Sequence, residues 1–354
     1  MKIFMYTKHI SFCFLLFISS CNNLTRYSMN PSRNSQSLAM DQLEINKVDY
    51  NGNTQLHLAS QNGHVETVRT LIGTQGILFN QKNNNGWTPL HFAAQNGHVE
   101  VVKALIRTQG VQVNEGTYNG WTPLHIAIQN SHVEVVKALV QSEGILINQK
   151  GGNGWTPLHS AVWNGHVDIV RILLKVTGIL INEGNNNGHA PIHIAAQNGH
   201  VEVVKALIGT EGILVNGRNN NGHTPLHAAV YGRHIEVVKV LMETTDILIN
   251  QKVNDEDDEE VCGWTALHFA AKYGHIEIIR ELLLAKNILV NEVDNNGWTA
   301  LHFAACEGYV EVVKSLMKTT GILVNVKNNH GKTPLDLAKE NNHLSCVSVI
   351  GCSN

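Results

Sequence analysis

The sequence predicts an all-α solenoid of about nine helix-turn-helix units joined by extended finger loops, and two repeated markers support that prediction. The first is a glycine, usually in an Asn-Gly dipeptide, that recurs every 34 residues and once after 41, at Gly52, Gly86, Gly120, Gly154, Gly188, Gly222, Gly263, Gly297 and Gly331. The second is an asparagine that lengthens its step at the same place, at Asn46, Asn80, Asn114, Asn148, Asn182, Asn216, Asn250, Asn291 and Asn325. Because both markers show the longer step at the same place in the chain, the repeats have one period, with a single insertion.

The first helix of each unit is predicted by the segment that follows the Asn-Gly turn, as in Thr88-Pro89-Leu90-His91. Threonine caps a helix well, and proline at the first helical position loses no needed hydrogen bond. Gly97 is expected to end this helix in a left-handed conformation. The sequence thus predicts a helix of about two turns, which is too short to be stable alone.

A second helix follows, with Val99, Val102 and Ile106 on its predicted buried face and Glu100 paired with Lys103 on the other. The residues after it alternate apolar and polar types up to the next Asn-Gly, which predicts an extended finger. Each unit must bury its apolar faces against its neighbours, so the units are expected to stack.

These residues carry a resemblance to a known family. Thr-Pro-Leu-His, followed by Gly-His and a Val/Ile-rich helix, resembles the ankyrin repeat, and the match covers residues 51 to about 350. The resemblance implies a non-catalytic scaffold that binds a protein partner through a concave surface of fingers and first helices. Every unit departs from the family by one extra residue before its terminal glycine, which should change the finger geometry slightly.

The predicted partner-binding residues are mostly aromatic. Those placed directly after the marker glycine are Trp87, Trp121, Trp155, His189, His223, Trp264 and Trp298. Those carried over from the first-helix surface of the family are Trp163, Tyr231 and Tyr273. Exposed tryptophan and tyrosine often anchor interfaces. The alternative is that each tryptophan packs on its neighbouring finger as repeat structure, and a passive spacer or envelope protein is then the competing function.

The twenty histidines fall mainly into two repeated positions, and architecture accounts for both. One set is expected to bridge the capping threonine and nearby backbone groups, at His57, His91, His125, His159, His193, His227, His268 and His302. The other set opens the second helices, from His64 to His343. The sequence has no nucleophile with a paired base, no phosphate-binding glycine loop and no cysteine-pair zinc motif. We therefore expect no enzyme, cofactor or metal site.

The net charge of −3 argues against nucleic acid as a partner, since the chain offers no excess of basic residues. Six acidic residues lie together at 255–260, inside a predicted loop insertion at 255–261. A solvated loop is the favoured interpretation. Calcium binding and contact with a basic partner are the alternatives that clustered carboxylates leave open.

Residues 1–20 predict an export signal, with Lys2 and Lys8 before an apolar core at 10–18. The following Ile18-Ser19-Ser20-Cys21 resembles a bacterial lipobox, which implies a lipid on Cys21 and an exported lipoprotein at the outer membrane or cell surface. An ordinary signal peptide cut nearby is the alternative. Residues 21–36 are polar and predict a flexible tether. Residues 37–50 predict a partial N-terminal cap, and 51–354 the repeat array.

Several units depart from the consensus. Gln55, Ala266 and Ala300 replace the helix-starting proline, so their helices should fray more easily. The ninth unit is expected to be a terminal cap ending in a shortened helix at Leu344–Ile350. Cys262, Cys306, Cys346 and Cys352 form no disulfide framework, and a bond between the last two or four free thiols are both open. We expect a monomer with a protein partner that the sequence does not name, and a host protein is one candidate.

Overall fold

Each period of the sequence forms one pair of short α-helices. The computed structural model describes residues 45–254 and 261–352, and within them it has eighteen α-helices and no β-strand. The first helices are α1 (Gln55–Gln61), α3 (Pro89–Gln95), α5 (Pro123–Gln129), α7 (Pro157–Trp163), α9 (Pro191–Gln197), α11 (Pro225–Tyr231), α13 (Ala266–Lys272), α15 (Ala300–Glu307) and α17 (Pro334–Glu340). The second helices are α2 (Val65–Ile72), α4 (Val99–Ile106), α6 (Val133–Val140), α8 (Val167–Leu174), α10 (Val201–Ile208), α12 (Ile235–Met242), α14 (Ile276–Leu282), α16 (Val310–Met317) and α18 (Leu344–Gly351). The predicted fold class is confirmed.

The helices stack in two layers, first helices on first helices and second helices on second helices. The buried face of α4 differs from the predicted one. Val101, Val102 and Leu105 are completely buried, whereas Val99 and Ile106 are only half-buried. The reason is that α4 packs against α3 of its own unit and also against the second helices on both sides, so its buried face is wider than one helical stripe.

The predicted threonine cap is present, and it is reciprocal. In α3 the Thr88 hydroxyl lies 2.8 Å from His91 Nδ1, and the Thr88 backbone N–H donates to the same nitrogen at 3.1 Å. Gly97 follows the helix with φ +72°, as expected. A Cβ on Gly97 would lie 2.6 Å from Nδ1 of His132 in the next unit, so glycine is required for packing as well as for conformation.

The repeated asparagine joins consecutive units through a hydrogen-bonded ladder. The Asn80 side chain donates to the Gly110 carbonyl at 2.7 Å and accepts from the Gln112 backbone N–H at 2.8 Å. Seven further asparagines make the same two bonds to the following unit, namely Asn46, Asn114, Asn148, Asn182, Asn216, Asn250 and Asn291. Asn46, which lies in the predicted N-terminal cap, therefore makes the contacts that the last part of a repeat makes with the following unit.

The ninth unit is less reduced than expected. Helix α18 extends to Gly351 and has eight residues, as most of the other second helices do, so the prediction of a shortened helix is wrong. Cys346 and Ile350 lie four residues apart on one face of the helix, and both are completely buried. Because Ile350 packs on the same face as Cys346, the helix continues through it. All four cysteines named above are free thiols. Cys346 and Cys352 lie six residues apart along one helix, about 9 Å, which is too far for a disulfide.

Several predictions fall on residues outside the described ranges. These are the export signal at 1–20, the lipid site Cys21, the tether at 21–36, most of the cap at 37–50 and the acidic run at 255–260. Within the described ranges, no helix is both long and apolar enough to cross a membrane. Gln55, Ala266 and Ala300 begin their helices at the same repeat position as the prolines, and their greater fraying stays a prediction.

Candidate partner-binding surface

The residue after each marker glycine ends a tight turn immediately before the first helix. At Trp87 the turn closes through two backbone-fixing bonds: the Asn83 N–H donates to the Trp87 carbonyl, and the Trp87 N–H donates to the Asn83 side chain, each at 2.9 Å. We call this position the finger row, and it comprises Trp87, Trp121, Trp155, His189, His223, Trp264 and Trp298. Six of the seven side chains are half-buried, so each presents part of its ring to solvent.

Buried histidines of the preceding units bind the backbone carbonyls of the finger row. His57 Nε2 lies 3.0 Å from the Trp87 carbonyl, and His91 Nε2 lies 3.0 Å from the Trp121 carbonyl. The same contact reaches Trp155, His189 and His223 from the preceding units. Since Nδ1 accepts from the threonine, the ring is neutral with its proton on Nε2, where it donates to the carbonyl. Burial lowers the pKa of His91 and His125 to about 4, which favours the same neutral form.

The second set of histidines also links units. Each stands at the N-terminus of a second helix without capping it, and His98 Nε2 lies 2.9 Å from the Gln61 carbonyl of the preceding unit. His132, His200, His234 and His343 make the equivalent contact. Both histidine positions are therefore architectural, as the sequence predicts.

The tryptophan rings pack partly on their own units. The Trp87 ring lies 5.3 Å from the Phe92 ring, and the Trp121 ring lies 5.2 Å from the His125 ring. These contacts agree with the alternative that part of each ring is repeat structure. The exposed part of the Trp87 and Trp121 rings remains available to a partner.

Two aromatic pairs extend the finger row onto the first helices. Trp155 meets Trp163 edge to face at 5.4 Å, which joins a finger to the end of α7. Tyr231, at the end of α11, meets Tyr273, at the end of α13, edge to face at 5.7 Å. Tyr273 is 43% exposed and is the most open of the predicted binding residues.

Trp264 does not belong to this surface, and its predicted role as a binding residue is wrong. Its side chain is 1% exposed and lies between Phe269 at 4.9 Å and Phe303 at 4.7 Å. The cause is the residue that stands five positions after the finger-row residue. In the seventh and eighth units this residue is phenylalanine, Phe269 and Phe303. At the same position the units of Trp121 and Trp155 carry Ile126 and Ser160, and the Trp121 side chain stays half-buried.

We define the aromatic surface as the remaining nine residues, Trp87, Trp121, Trp155, Trp163, His189, His223, Tyr231, Tyr273 and Trp298. Reasoning from the sequence missed the contribution of Phe92 and Phe303, which support Trp87 and Trp298 from the same repeat position. The regular spacing of five residues from the finger row was the signal that would have found them.

Lysines near the aromatic surface are paired with glutamates. Lys272 and Glu307 form an ion pair at 2.6 Å between α13 and α15, and the Lys272 ammonium lies 6.0 Å from the Phe303 ring centre. Lys82 and Glu115 form another at 2.6 Å between successive fingers. The His189 ring accepts from the Asn219 side chain at 2.8 Å, and burial lowers the pKa of His189. The surface is thus aromatic and amide-rich, and the lysines beside it are neutralised by glutamates.

Comparison with protein families agrees with this architecture. A family model described as ankyrin repeats, in three copies, matches residues 16–117, 109–183, 176–252, 243–328 and 291–353. The chain belongs to the ankyrin-repeat family. Ankyrin repeats are generally non-catalytic interaction modules, so this ankyrin-repeat protein is a protein-interaction scaffold. Among curated proteins, none is similar enough to the chain to count as a match.

Proposed function

We propose that the protein binds a protein partner through the aromatic surface while a lipid on Cys21 tethers it to a membrane. The observation that supports partner binding is the row of half-buried aromatic rings, whose backbone is fixed by hydrogen bonds. Asn83 and His57 hold the Trp87 backbone by three hydrogen bonds, so binding there would order little that is not already ordered. Preorganised aromatic side chains are common interface anchors.

The chemistry of the surface indicates the kind of partner. Its lysines are paired with glutamates, as in Lys272–Glu307, and its asparagines bond to their own helices, as Asn96 does to the Phe92 carbonyl at 2.9 Å. A partner would therefore be recognised through apolar and aromatic contacts, with only a modest dependence on salt.

The tether completes the proposal. The lipobox resemblance at 18–21 supports a lipid anchor on Cys21, and the polar segment 21–36 would let the array stand off the membrane. A flexible chain of sixteen residues would reach about 20 to 25 Å. An exported, surface-held scaffold could meet a host protein, by analogy with other bacterial arrays of this family.

The test of the binding surface uses substitutions that the chain itself already carries at equivalent positions. Trp121→His and Trp155→His copy His189 and His223, and Trp163→Gln copies Gln129, so the fold should tolerate all three. A matched control changes Lys137, Lys205 and Lys239 to alanine on exposed faces of second helices. A partner captured by the parent and the control, and lost from the triple aromatic variant, supports the proposal.

The competing function is a passive spacer that binds no partner tightly. The packing of Trp87 on Phe92 favours it, because part of the ring is already used within the unit. Under this alternative the parent, the control and the aromatic variant retain the same proteins in the capture experiment. Equal retention would reject the aromatic surface as a binding site.

The lipid anchor has its own test. Labelled fatty acid should enter the parent chain in a bacterial host and be absent from Cys21→Ala. Label that persists in Cys21→Ala would refute the lipobox interpretation, and it would leave the binding proposal untouched.

A further inference from the structure

The chain is rich in Asn-Gly dipeptides, at which asparagine loses its side-chain amide most readily, because glycine has no side chain to hinder attack by its backbone nitrogen. Twelve such dipeptides occur in the sequence, and seven of them lie at one repeated position in the fingers. We call these seven the finger asparagines: Asn51, Asn85, Asn119, Asn153, Asn187, Asn221 and Asn296. Since their local sequences are so similar, each finger serves as a control for the others.

A hydrogen-bonded side chain closes most of these fingers. Two residues before the finger asparagine, the Asn83 side chain accepts from the backbone N–H of Asn85 at 3.0 Å and from that of Trp87 at 2.9 Å. The residues that make the same two bonds in their own fingers are Asp49, Asn185, Asn219 and Asp294. Five fingers are therefore locked by two side-chain bonds each.

Two fingers depart from this pattern. Thr117 stands at the locking position before Asn119, and it accepts a single bond, from the Trp121 N–H at 3.2 Å. Gly151 stands at the locking position before Asn153 and has no side chain that could accept either bond. Of these seven fingers, all of which the structure describes, only the one that holds Asn153 is without a side-chain lock.

This finger, residues 151–155, which we call the Trp155 finger, also has a less favourable backbone. Asn153 has φ 58° and ψ 20°, and it is the one finger asparagine in the left-handed region. Gly152 stands where Asn84 donates to the Tyr50 carbonyl of the preceding finger at 3.1 Å. Two adjacent glycines also gain more backbone freedom than other residues when a turn opens. The Trp155 finger should therefore open more often than the other six.

We propose that Asn153 is a site of spontaneous modification, at which the side chain closes on the backbone of Gly154 and releases ammonia. The Gly154 nitrogen gives up its proton to solvent and bonds to Asn153 Cγ, and the Cγ–Nδ2 bond breaks as ammonia leaves. Water then opens the five-membered ring at either carbonyl, which yields aspartate or isoaspartate. The reaction consumes only water, to which Asn153 is exposed.

The reaction requires an open turn. In the closed finger the Gly154 N–H donates to the Gly151 carbonyl at 3.1 Å, so its nitrogen is directed away from the Asn153 side chain. The locked fingers have the same backbone bond, as Gly86 does to the Asn83 carbonyl at 2.9 Å, and they have the side-chain lock in addition. The rate of the reaction should therefore follow the number of locking bonds.

A helix end of the same unit offers an internal control. Asn164, which also precedes a glycine, donates its side-chain N–H to the Ser160 carbonyl at 2.8 Å. This bond holds the side chain on the helix, so Asn164 should react slowly. Trypsin cleaves after Lys150 and Arg171, and Asn153 and Asn164 therefore lie in one peptide.

The product would change the aromatic surface. Aspartate places a negative charge two residues before Trp155, and isoaspartate also lengthens the backbone there by one carbon atom. Trp155 packs edge to face on Trp163 at 5.4 Å, so a displaced Trp155 would disturb Trp163 as well. A slow covalent change would thus regulate partner binding. This consequence rests on the proposed function, whereas the reaction at Asn153 does not.

The experiment follows deamidation of three full-length chains by tandem mass spectrometry during incubation at mildly alkaline pH, once folded and once in urea. The first chain is the parent. The second carries Gly151→Asn with Gly152→Asn, which copies the Asn83-Asn84 pair and supplies the missing lock. The third carries the reciprocal change, Asn185→Gly with Asn186→Gly, which removes the lock before Asn187.

In the folded parent, Asn153 should react at least about tenfold faster than Asn85 and Asn187, because the two missing bonds make the turn cheaper to open. Asn119 should have an intermediate rate. In urea the rates should converge, since no turn remains. The second chain should slow Asn153 to the parent rate of Asn187, and the third should raise Asn187 to the parent rate of Asn153.

Three outcomes would overturn the proposal. One is a folded parent in which Asn153 reacts no faster than Asn85 or Asn164. Another is an equal advantage of Asn153 in urea, which would assign the difference to local sequence alone. The last is a set of rates that neither exchange of residues alters. Each outcome concerns the reaction itself, so it leaves the proposed binding of a partner untouched.

Discussion

One unit lacks a hydrogen bond that its seven counterparts make, and restoring it should stabilise the protein. In seven units the capping threonine hydroxyl lies 2.7 to 3.0 Å from the buried histidine Nδ1. In the fifth unit Ala190 replaces the threonine, and His193 Nδ1 has no hydrogen-bond partner within the described residues although His193 is 1% exposed. We predict that Ala190→Thr is stabilising.

The expected gain follows from two contributions. A threonine N-cap is worth about 1 kcal/mol over alanine. Satisfying a buried acceptor is worth about 1 to 3 kcal/mol, less the entropy of ordering the new side chain. The backbone at Ala190, with φ −71° and ψ 161°, is close to that of Thr156 and Thr224, so the threonine should fit without strain. We expect a net gain of about 1 to 2 kcal/mol.

Amide hydrogen exchange is the suitable assay, because a repeat array can unfold unit by unit and blur a global transition. Ala190→Thr should slow exchange in α9 by about tenfold, which corresponds to about 1.4 kcal/mol. The reciprocal change Thr122→Ala removes the same bond from α5 and should speed exchange there by a similar factor. If Thr122→Ala has its effect and Ala190→Thr has none, the missing hydroxyl is not what weakens the fifth unit.

Two further predictions follow from the same architecture. Burial lowers the pKa of His91, His125, His159, His193 and His268 to about 4, so between the unfolded value of 6.5 and pH 4 only the unfolded chain gains these protons. The contribution of these histidines to the free energy of unfolding is therefore fully present above pH 6.5 and is lost as the pH falls. By pH 5 the loss should be about 2 kcal/mol for each such histidine. A urea midpoint that stays constant between pH 6.5 and pH 5 would contradict the reasoning. Gly97→Ala and Gly76→Ala both place alanine at positive φ, but only the former meets a neighbour, His132 at 2.6 Å. Gly76→Ala should cost about 1 to 2 kcal/mol and Gly97→Ala clearly more, and equal losses in thermal denaturation would exclude the contact with His132.

The period, the helix pairs and the roles of both histidine sets could be predicted because each depends on contacts that recur in every unit. Thr88, Pro89 and His91 specify a cap by local rules, and repetition removes the ambiguity that a single copy would have. Trp264 could not be predicted in the same way. Its burial depends on Phe269 of its own unit and Phe303 of the next unit together, and no other residue of the finger row lies between two such phenylalanines.

Repetition creates a difficulty for any partner of such an array, since identical units allow binding in several registers displaced by one unit. The departures from the repeat remove that degeneracy. Trp163 replaces the glutamine of other units, and the Tyr231–Tyr273 pair occurs at one junction, so a partner that contacts them has one register on the aromatic surface. Specificity in this protein should therefore reside in the non-repeated residues, and affinity in the repeated ones.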